Sequence, residues 1–334
     1  MPLSDLRFLA LNAWLKQIFD ADVTPTLISG DASFRRYFRV QHKDISYIVM
    51  DSPPELIKVL PFVNLACAYS DKGVDVPQVI EVNAEDGFLL LSDLGDIQLL
   101  SVLNSDNVYA YYRDALRLLD KVSLVIDNGE SALPLYDAAF VQLELDIFSD
   151  WLIKRHLVIE LDEKTQNMLR TTFSCLIENV EAQPKVGMHR DYHSRNLMLQ
   201  NDQLKVIDFQ DAVLGPVTYD AVSLLRDCYV RWPDALVEQL MTQHFEQVQS
   251  SGQLDKSVTL ATYTRWFDLM GLQRHIKAAG IFSRLKYRDD KPAYMADIPL
   301  TLEYIRDISA RYPELETFSA WIADSIIPAV EAKL

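Results

Sequence analysis

Between Gly187 and Ala212 the chain reads GMHRDYHSRNLMLQNDQLKVIDFQDA. His189, Arg190, Asp191, His193, Arg195 and Asn196 fall within eight residues of it, and Asp208 closes the run Leu204-Lys205-Val206-Ile207. A packed core does not need that density of polar side chains, and a plain surface loop does not need a carboxylate at the end of an apolar run. The runs 197–199 and 205–207 flank Asn201-Asp202 and read as a hairpin across a tight turn, which returns Asp208 to the side of Asn196. An amide oxygen and a carboxylate held together are hard ligands suited to Mg²⁺, which takes few protein ligands and completes its octahedron with water and phosphate oxygens. Asp191, four residues clear of Asn196, then serves to accept a proton from an attacking hydroxyl. The chemistry indicated is attack by a hydroxyl beside a bound metal ion.

Such residues need a scaffold to position them. In the first third of the chain, 26–29, 37–40 and 45–50 are short and rich in β-branched and aromatic residues, with turn formers such as Gly30-Asp31 between them. They predict an antiparallel sheet. Pro53-Pro54 stops the third strand, apolar spacing over 56–69 predicts a helix before Gly73, and two further strands are expected near 77–81 and 88–91. Past Gly95 the period changes to 3.6 over 108–119, 140–156, 164–180 and most of 218–332. The expected fold class is α+β: a small β-rich lobe over 1–93, a larger helical lobe over 94–334, and a hinge at 91–95. A cleft between two such lobes suits a small molecule.

Composition narrows the partners. A net charge of -16 over 334 residues argues against nucleic acid, whose phosphates call for a basic patch. The N-terminal stretch is interrupted by Asp5, Arg7 and Lys16, unlike a signal peptide, and no apolar run approaches the roughly 18 residues that span a bilayer. Cys67, Cys175 and Cys228 are scattered and odd in number, as expected of reduced cysteines in a cytoplasmic protein. Neither a membrane nor an obligate protein partner is indicated.

The order and spacing of the opening residues resemble the protein-kinase pattern H-R-D-x-x-x-x-N followed by D-F-G. Here Phe209 is followed by Gln210-Asp211, and Gly215-Pro216-Val217-Thr218-Tyr219-Asp220 opens a helix where a protein kinase would continue towards A-P-E. The series H-x-D-x-x-x-x-N, I-D-F and G-P-x-x-Y-D is similar to the aminoglycoside phosphotransferase and choline kinase family, over most of the chain. That resemblance implies a protein-kinase-like bilobal fold, with 1–93 as the nucleotide-binding lobe and 94–334 as the catalytic and substrate lobe, ATP and Mg²⁺ as cofactors and a small-molecule acceptor. It implies Asp191 as catalytic base, Asn196 and Asp208 as the catalytic metal ligands, and Asp220 as an anchor for the loop. The phosphate-covering loop then falls on 29–38, placing Ser33, Phe34, Arg35 and Arg36 against the nucleotide, with Ser92, Asp93 and Leu94 of the hinge beside it. The strand position that usually carries a phosphate-pairing Lys or Arg falls on Met50, and the helix after it lacks a well-placed Glu. Arg35 or Arg36 is expected to take that role.

Within the family, the segments 33–38, 50–55, 87–95 and 271–275 resemble the bacterial kinases that phosphorylate the anomeric hydroxyl of N-acetylmuramate and N-acetylglucosamine in cell-wall recycling. This implies an amino-sugar substrate. The segment 271–288 carries Arg274, His275, Lys277, Arg284, Lys286 and Arg288 and no acid, in a chain with 48 acids. Facing the substrate, it suits a carboxylate-bearing sugar; facing water, it is a solvated basic helix face. The expected substrate contacts are Asp191, His193, Asp211, Arg274 and His275. Two alternatives stand beside this: an aminoglycoside- or choline-type kinase, with Asp211, Asp227 and Asp268 around a polyamine, and a catalytically dead nucleotide-sensing regulator, suggested by Met50.

Overall fold

The computed structural model describes residues 6–30 and 34–333. In chain order it runs α1 (Leu6–Phe19), β1 (Thr26–Gly30), β2 (Arg36–His42), β3 (Ile45–Asp51), α2 (Leu60–Asp71), β4 (Val79–Asn83), β5 (Phe88–Ser92) and α3 (Leu99–Val102). Then come α4 (Val108–Val122), α5 (Ala138–Ile147), a π-helix (Phe148–Leu157), α6 (Glu163–Glu181), β6 (Lys185–Met188), β7 (Leu197–Gln200), β8 (Gln203–Val206) and β9 (Val213–Pro216). The C-terminal third holds α7 (Tyr219–Leu225), α8 (Asp234–Ser250), α9 (Leu260–Asp289), α10 (Ile298–Ser309), α11 (Glu316–Trp321) and α12 (Ile327–Glu331). No helix among the described residues is long and apolar enough to cross a membrane.

The chain divides into two compact units. The first holds the described residues up to Val102 together with 127–132 and 195–210. Its antiparallel sheet has the order β1-β2-β3-β5-β4. On one face, Leu11 and Leu15 of α1 pack against Phe38, Val40, Val49, Phe88 and Leu90. Each such side chain, fully buried, contributes about 1.5–3 kcal/mol. In register, Arg36 lies opposite Asp51 and Asp51 opposite Phe88, so these side chains share the face covered by α1.

The hairpin β7–β8 belongs to this first unit. Asn201 and Asp202 at its tip have φ of 52° and 58°, as a two-residue turn of the I′ type requires, and Asn and Asp tolerate that left-handed region best after glycine. Leu199 N–H donates to the Ile97 carbonyl and Val206 N–H to that of Asp75, both at 2.8 Å, while Lys205 Nζ pairs with the Asp75 carboxylate at 2.8 Å.

In the second unit the periodicity over 140–156 is not one helix: α5 ends at Ile147 and the backbone widens into the π-helix. The junction lies where α9 comes closest. A Cβ built on Gly280 would stand 2.6 Å from Ile147 C and Phe148 N, so only glycine admits that approach. The two-stranded sheet β6–β9 is a further difference from expectation. Its strands are four residues long and contain Gly187, Gly215 and Pro216, which mask any strand signal.

The basic stretch of α9 is not a solvated face. Arg274 and Lys277 retain only 8% and 9% of their exposure and His275 is fully buried; Arg288, at the end of the helix, is exposed. The water-facing reading of 271–288 is therefore corrected for its first half, which is inside the protein.

Candidate active site

In the second unit, β6 delivers the segment from His189 to Ser194, and nearly every residue of it is tied down. The backbone N–H groups of His189 and Arg190 donate to the two carboxylate oxygens of Asp220, at 2.7 and 3.1 Å. The β6–β9 pairing makes this possible, because β9 leads directly into the first turn of α7 where Asp220 sits. Burial pushes the Asp220 carboxyl up to about 7, against the pull of those two N–H donors. Tyr192 is fully buried and its hydroxyl donates to the Ala115 carbonyl in α4 at 2.8 Å. Ser194 donates through both N–H and hydroxyl to buried Asp227. Arg190 adopts a left-handed φ of 75°, a conformation that non-glycine residues hold only when their surroundings impose it.

Those surroundings centre on Glu144 of α5. Its buried carboxylate accepts from Tyr136 OH at 2.6 Å, Lys277 Nζ at 2.9 Å, Arg190 Nη2 at 3.0 Å and Gln273 Nε2 at 3.2 Å. Lys277 also donates to Tyr219 OH at 3.2 Å. Burial raises the Glu144 pKa, but Lys277 and Arg190 outweigh it and hold the group below its ordinary value. Asp191 follows the same logic: burial pushes its carboxyl up, and the charges of Lys277, His193, Arg190 and His189 pull it further down, so it stays ionised. A carboxylate kept ionised on a rigid loop is equipped to take a proton. Glu144 lies 46 residues before Arg190, so nothing in the motif announces it. The one available signal is an acid on the buried stripe of α5, between Val141 and Leu145.

In the first unit, the hairpin does bring Asn196 and Asp208 together. Asn196 Nδ2 donates to Asp208 Oδ2 at 3.2 Å, Gln210 Nε2 donates to Asp208 Oδ1 at 2.6 Å, and Ile207 N–H donates to the Asn196 carbonyl at 3.0 Å. Asp208 has a φ of 65°, a second forced left-handed residue. Phe209 is fully buried against Phe62 and Tyr69, with ring centroids 4.9 and 5.4 Å away, and fixes the residue before it.

The family model described as the phosphotransferase enzyme family matches residues 24–252. The chain belongs to that family. This phosphotransferase is 40% identical over 333 residues to an N-acetylmuramate/N-acetylglucosamine kinase of Pseudomonas aeruginosa, covering 96% of this chain and 97% of that one. It is 36% identical to a protein of the same name from Neisseria meningitidis, covering 96% of each. Among solved structures, it is similar to Plasmodium vivax ethanolamine kinase, with a TM-score of 0.65 and 11% identity over 93% of this chain and 89% of that one. The GDP complex of aminoglycoside 2′-phosphotransferase-IIIa gives a TM-score of 0.62 and 16% identity over 92% and 99%. These likenesses establish the protein-kinase-like fold.

The expected nucleotide contacts of the phosphotransferase are distributed unevenly. Ser33 lies outside the described residues, and Phe34 is exposed. Arg36 lies on the α1 face of the sheet. Its guanidinium pairs with Asp51 Oδ2 at 2.5 Å, while Arg7 of α1 takes Oδ1 of the same fully buried carboxylate at 2.5 Å. The register opposite Asp51 sets Arg36 in a triad with Arg7 and that carboxylate, and 33% of its side chain stays exposed. Arg35 is half-buried, with its Nε inside. Asp93 pairs with Arg39 Nε at 2.6 Å and accepts from Ser46 Oγ at 2.5 Å, and burial does not prevent these partners from lowering its pKa. Ser92 Oγ accepts from Gln78 N–H at 2.9 Å, and Leu94 is half-buried.

Of the expected substrate contacts, His193 is half-buried with its ring edge-on to Tyr229 at 5.5 Å, and Asp211 is exposed, its carbonyl accepting from Arg190. His275 is corrected. Its ring stacks on Tyr304 at 4.4 Å and its Nε2 lies 2.9 Å from the Arg226 carbonyl, in the core. Arg274 stands with its guanidinium 5.0 Å from the centroid of the buried Tyr219 ring.

Proposed function

We propose that this phosphotransferase moves the γ-phosphoryl group of ATP, as its Mg²⁺ complex, to the anomeric hydroxyl of N-acetylmuramate or N-acetylglucosamine, in the cytoplasm. The observation that carries the reading is Asp191: a carboxylate on a loop fixed by Asp220, Ala115, Asp227 and Glu144, and kept ionised by the cations around it. In this reading Asp191 orients the sugar hydroxyl and accepts its proton as the oxygen attacks phosphorus. The identity of the sugar is supported by the relatives' names over nearly the whole chain.

The hard oxygens of Asn196 and Asp208 fit Mg²⁺. Asp208 would supply a carboxylate oxygen at the end of the hairpin and Asn196, beside it, its amide oxygen. When bound, Mg²⁺ neutralises charge on the transferring phosphate oxygens. The polyamine alternative is weakened because two of its three acids are spent internally: Asp227 on Ser194, and Asp268 on Arg226 at 2.6 Å and Tyr312 OH at 2.9 Å.

The test is incubation of the purified protein with MgATP and each sugar, with phosphorus NMR of the product. A phosphate on the anomeric oxygen is expected for both sugars, and Asp191→Asn should slow turnover by about 10²–10⁴-fold. No consumption of ATP with either sugar, or a phosphate on another hydroxyl, would refute the assignment.

A further inference from the structure

The buried arginines of the second unit are not treated alike. Arg190 has Glu144 at 3.0 Å and Arg226 has Asp268 at 2.6 Å. Arg274, 8% exposed, has no carboxylate in ion-pair range among the described residues, and its Nε is buried with no hydrogen-bond partner. The ring of Tyr219 supports the cation from one side, but a π face does not satisfy five N–H donors in a planar fork. Lys277, one turn along α9, shares the same ring at 6.0 Å and has its own carboxylate in Glu144.

The charges add up in the same direction. Arg190, Arg274 and Lys277 bring three positive charges to the surroundings of Tyr219, and Glu144 and Asp191 return two negative ones. The remaining acid, Asp220, has both oxygens occupied by the N–H groups of His189 and Arg190. A buried guanidinium with no carboxylate of its own is costly unless an anion joins it. The Asp191 carboxylate is among the charges that favour the protonated Arg274, so the two share one electrostatic environment.

We infer that Arg274 is an acceptor-specificity residue whose guanidinium receives the lactyl carboxylate of N-acetylmuramate, the group by which that sugar differs from N-acetylglucosamine. The inference rests on the amino-sugar reading above. A guanidinium fork matches a carboxylate in geometry as well as charge, and the match is complete only with the acidic sugar.

The experiment is a cycle of ligand against side chain. The kcat/KM is measured for N-acetylmuramate and for its lactyl methyl ester, with the unaltered protein and with Arg274→Ala. Esterification is expected to cost the unaltered protein at least tenfold and the variant less than threefold, and Arg274→Ala should lose at least tenfold more with N-acetylmuramate than with N-acetylglucosamine. If the alanine variant does not fold, Arg274→Lys completes the cycle, since an ammonium keeps the charge without the fork; there the cost of esterification should shrink but persist. An ester used as well as the acid by the unaltered protein, or an equal ester penalty with and without Arg274, overturns the inference. A protein that phosphorylates neither sugar overturns the functional reading instead, so the two failures are distinguishable.

Discussion

Asp191 works at the scale of single charges. Its carboxyl titrates below the ordinary value because Lys277, His193, Arg190 and His189 together outweigh its burial, Lys277 most of all. A base with a lowered pKa is ionised above that pKa and lost only as pH falls through it, so kcat should be flat across neutrality and decline only in acid. Lys277→Met removes the largest attractive charge, and the acid limb of the kcat–pH profile is then expected to move to higher pH; a lysine that merely fills space would leave the limb where it is. Asn196 and Asp208 were readable as a pair because a hairpin with a two-residue turn has one register, and the register places them side by side. Arg36 was not readable in the same way. Its partner Asp51 lies across a strand pair, and which face of the sheet α1 would cover is set by packing that no local motif records.

Helix α9 shows what one element does for the rest. Thirty residues, or about 45 Å, carry Gln273 and Lys277 to Glu144 and bring Arg274 over Tyr219. The helix lies deep enough to do so because Gly280 meets the main chain at Ile147 and Phe148 with no Cβ between. Gly280→Ala is therefore expected to destabilise the protein by about 1–3 kcal/mol, the usual cost of overpacking, although alanine favours helix. The midpoint of urea denaturation measures it, and an unchanged or higher midpoint would show that the contact yields. The long periodic helices and the five-strand sheet were legible from apolar spacing. The short pair β6 and β9 was not, because four-residue strands with glycine and proline are stabilised by what they join, here His189 and Asp220, more than by their own propensity.

On the scale of the molecule, the chain order and the compact units disagree. Residues 195–210 fold with the N-terminal sheet, where β7–β8 hydrogen-bonds to Asp75 and Ile97 and Phe209 fills the space beside Phe62 and Tyr69. A single cut between 93 and 94 thus separates the sheet from part of its own core. A fragment ending at Val102 is expected to show no cooperative urea transition by circular dichroism, and a sharp transition would mean that the hairpin is dispensable. The loop around Asp191 has a different arrangement of supports. Its anchors come from Ala115, Glu144, Asp220 and Asp227, on α4, α5, α7 and the turn after it, whereas Arg274 hangs from α9. If Arg274 reads the acceptor as inferred above, acceptor choice and proton transfer hang from separate elements, and a change at position 274 leaves every tether of the proton-accepting loop in place.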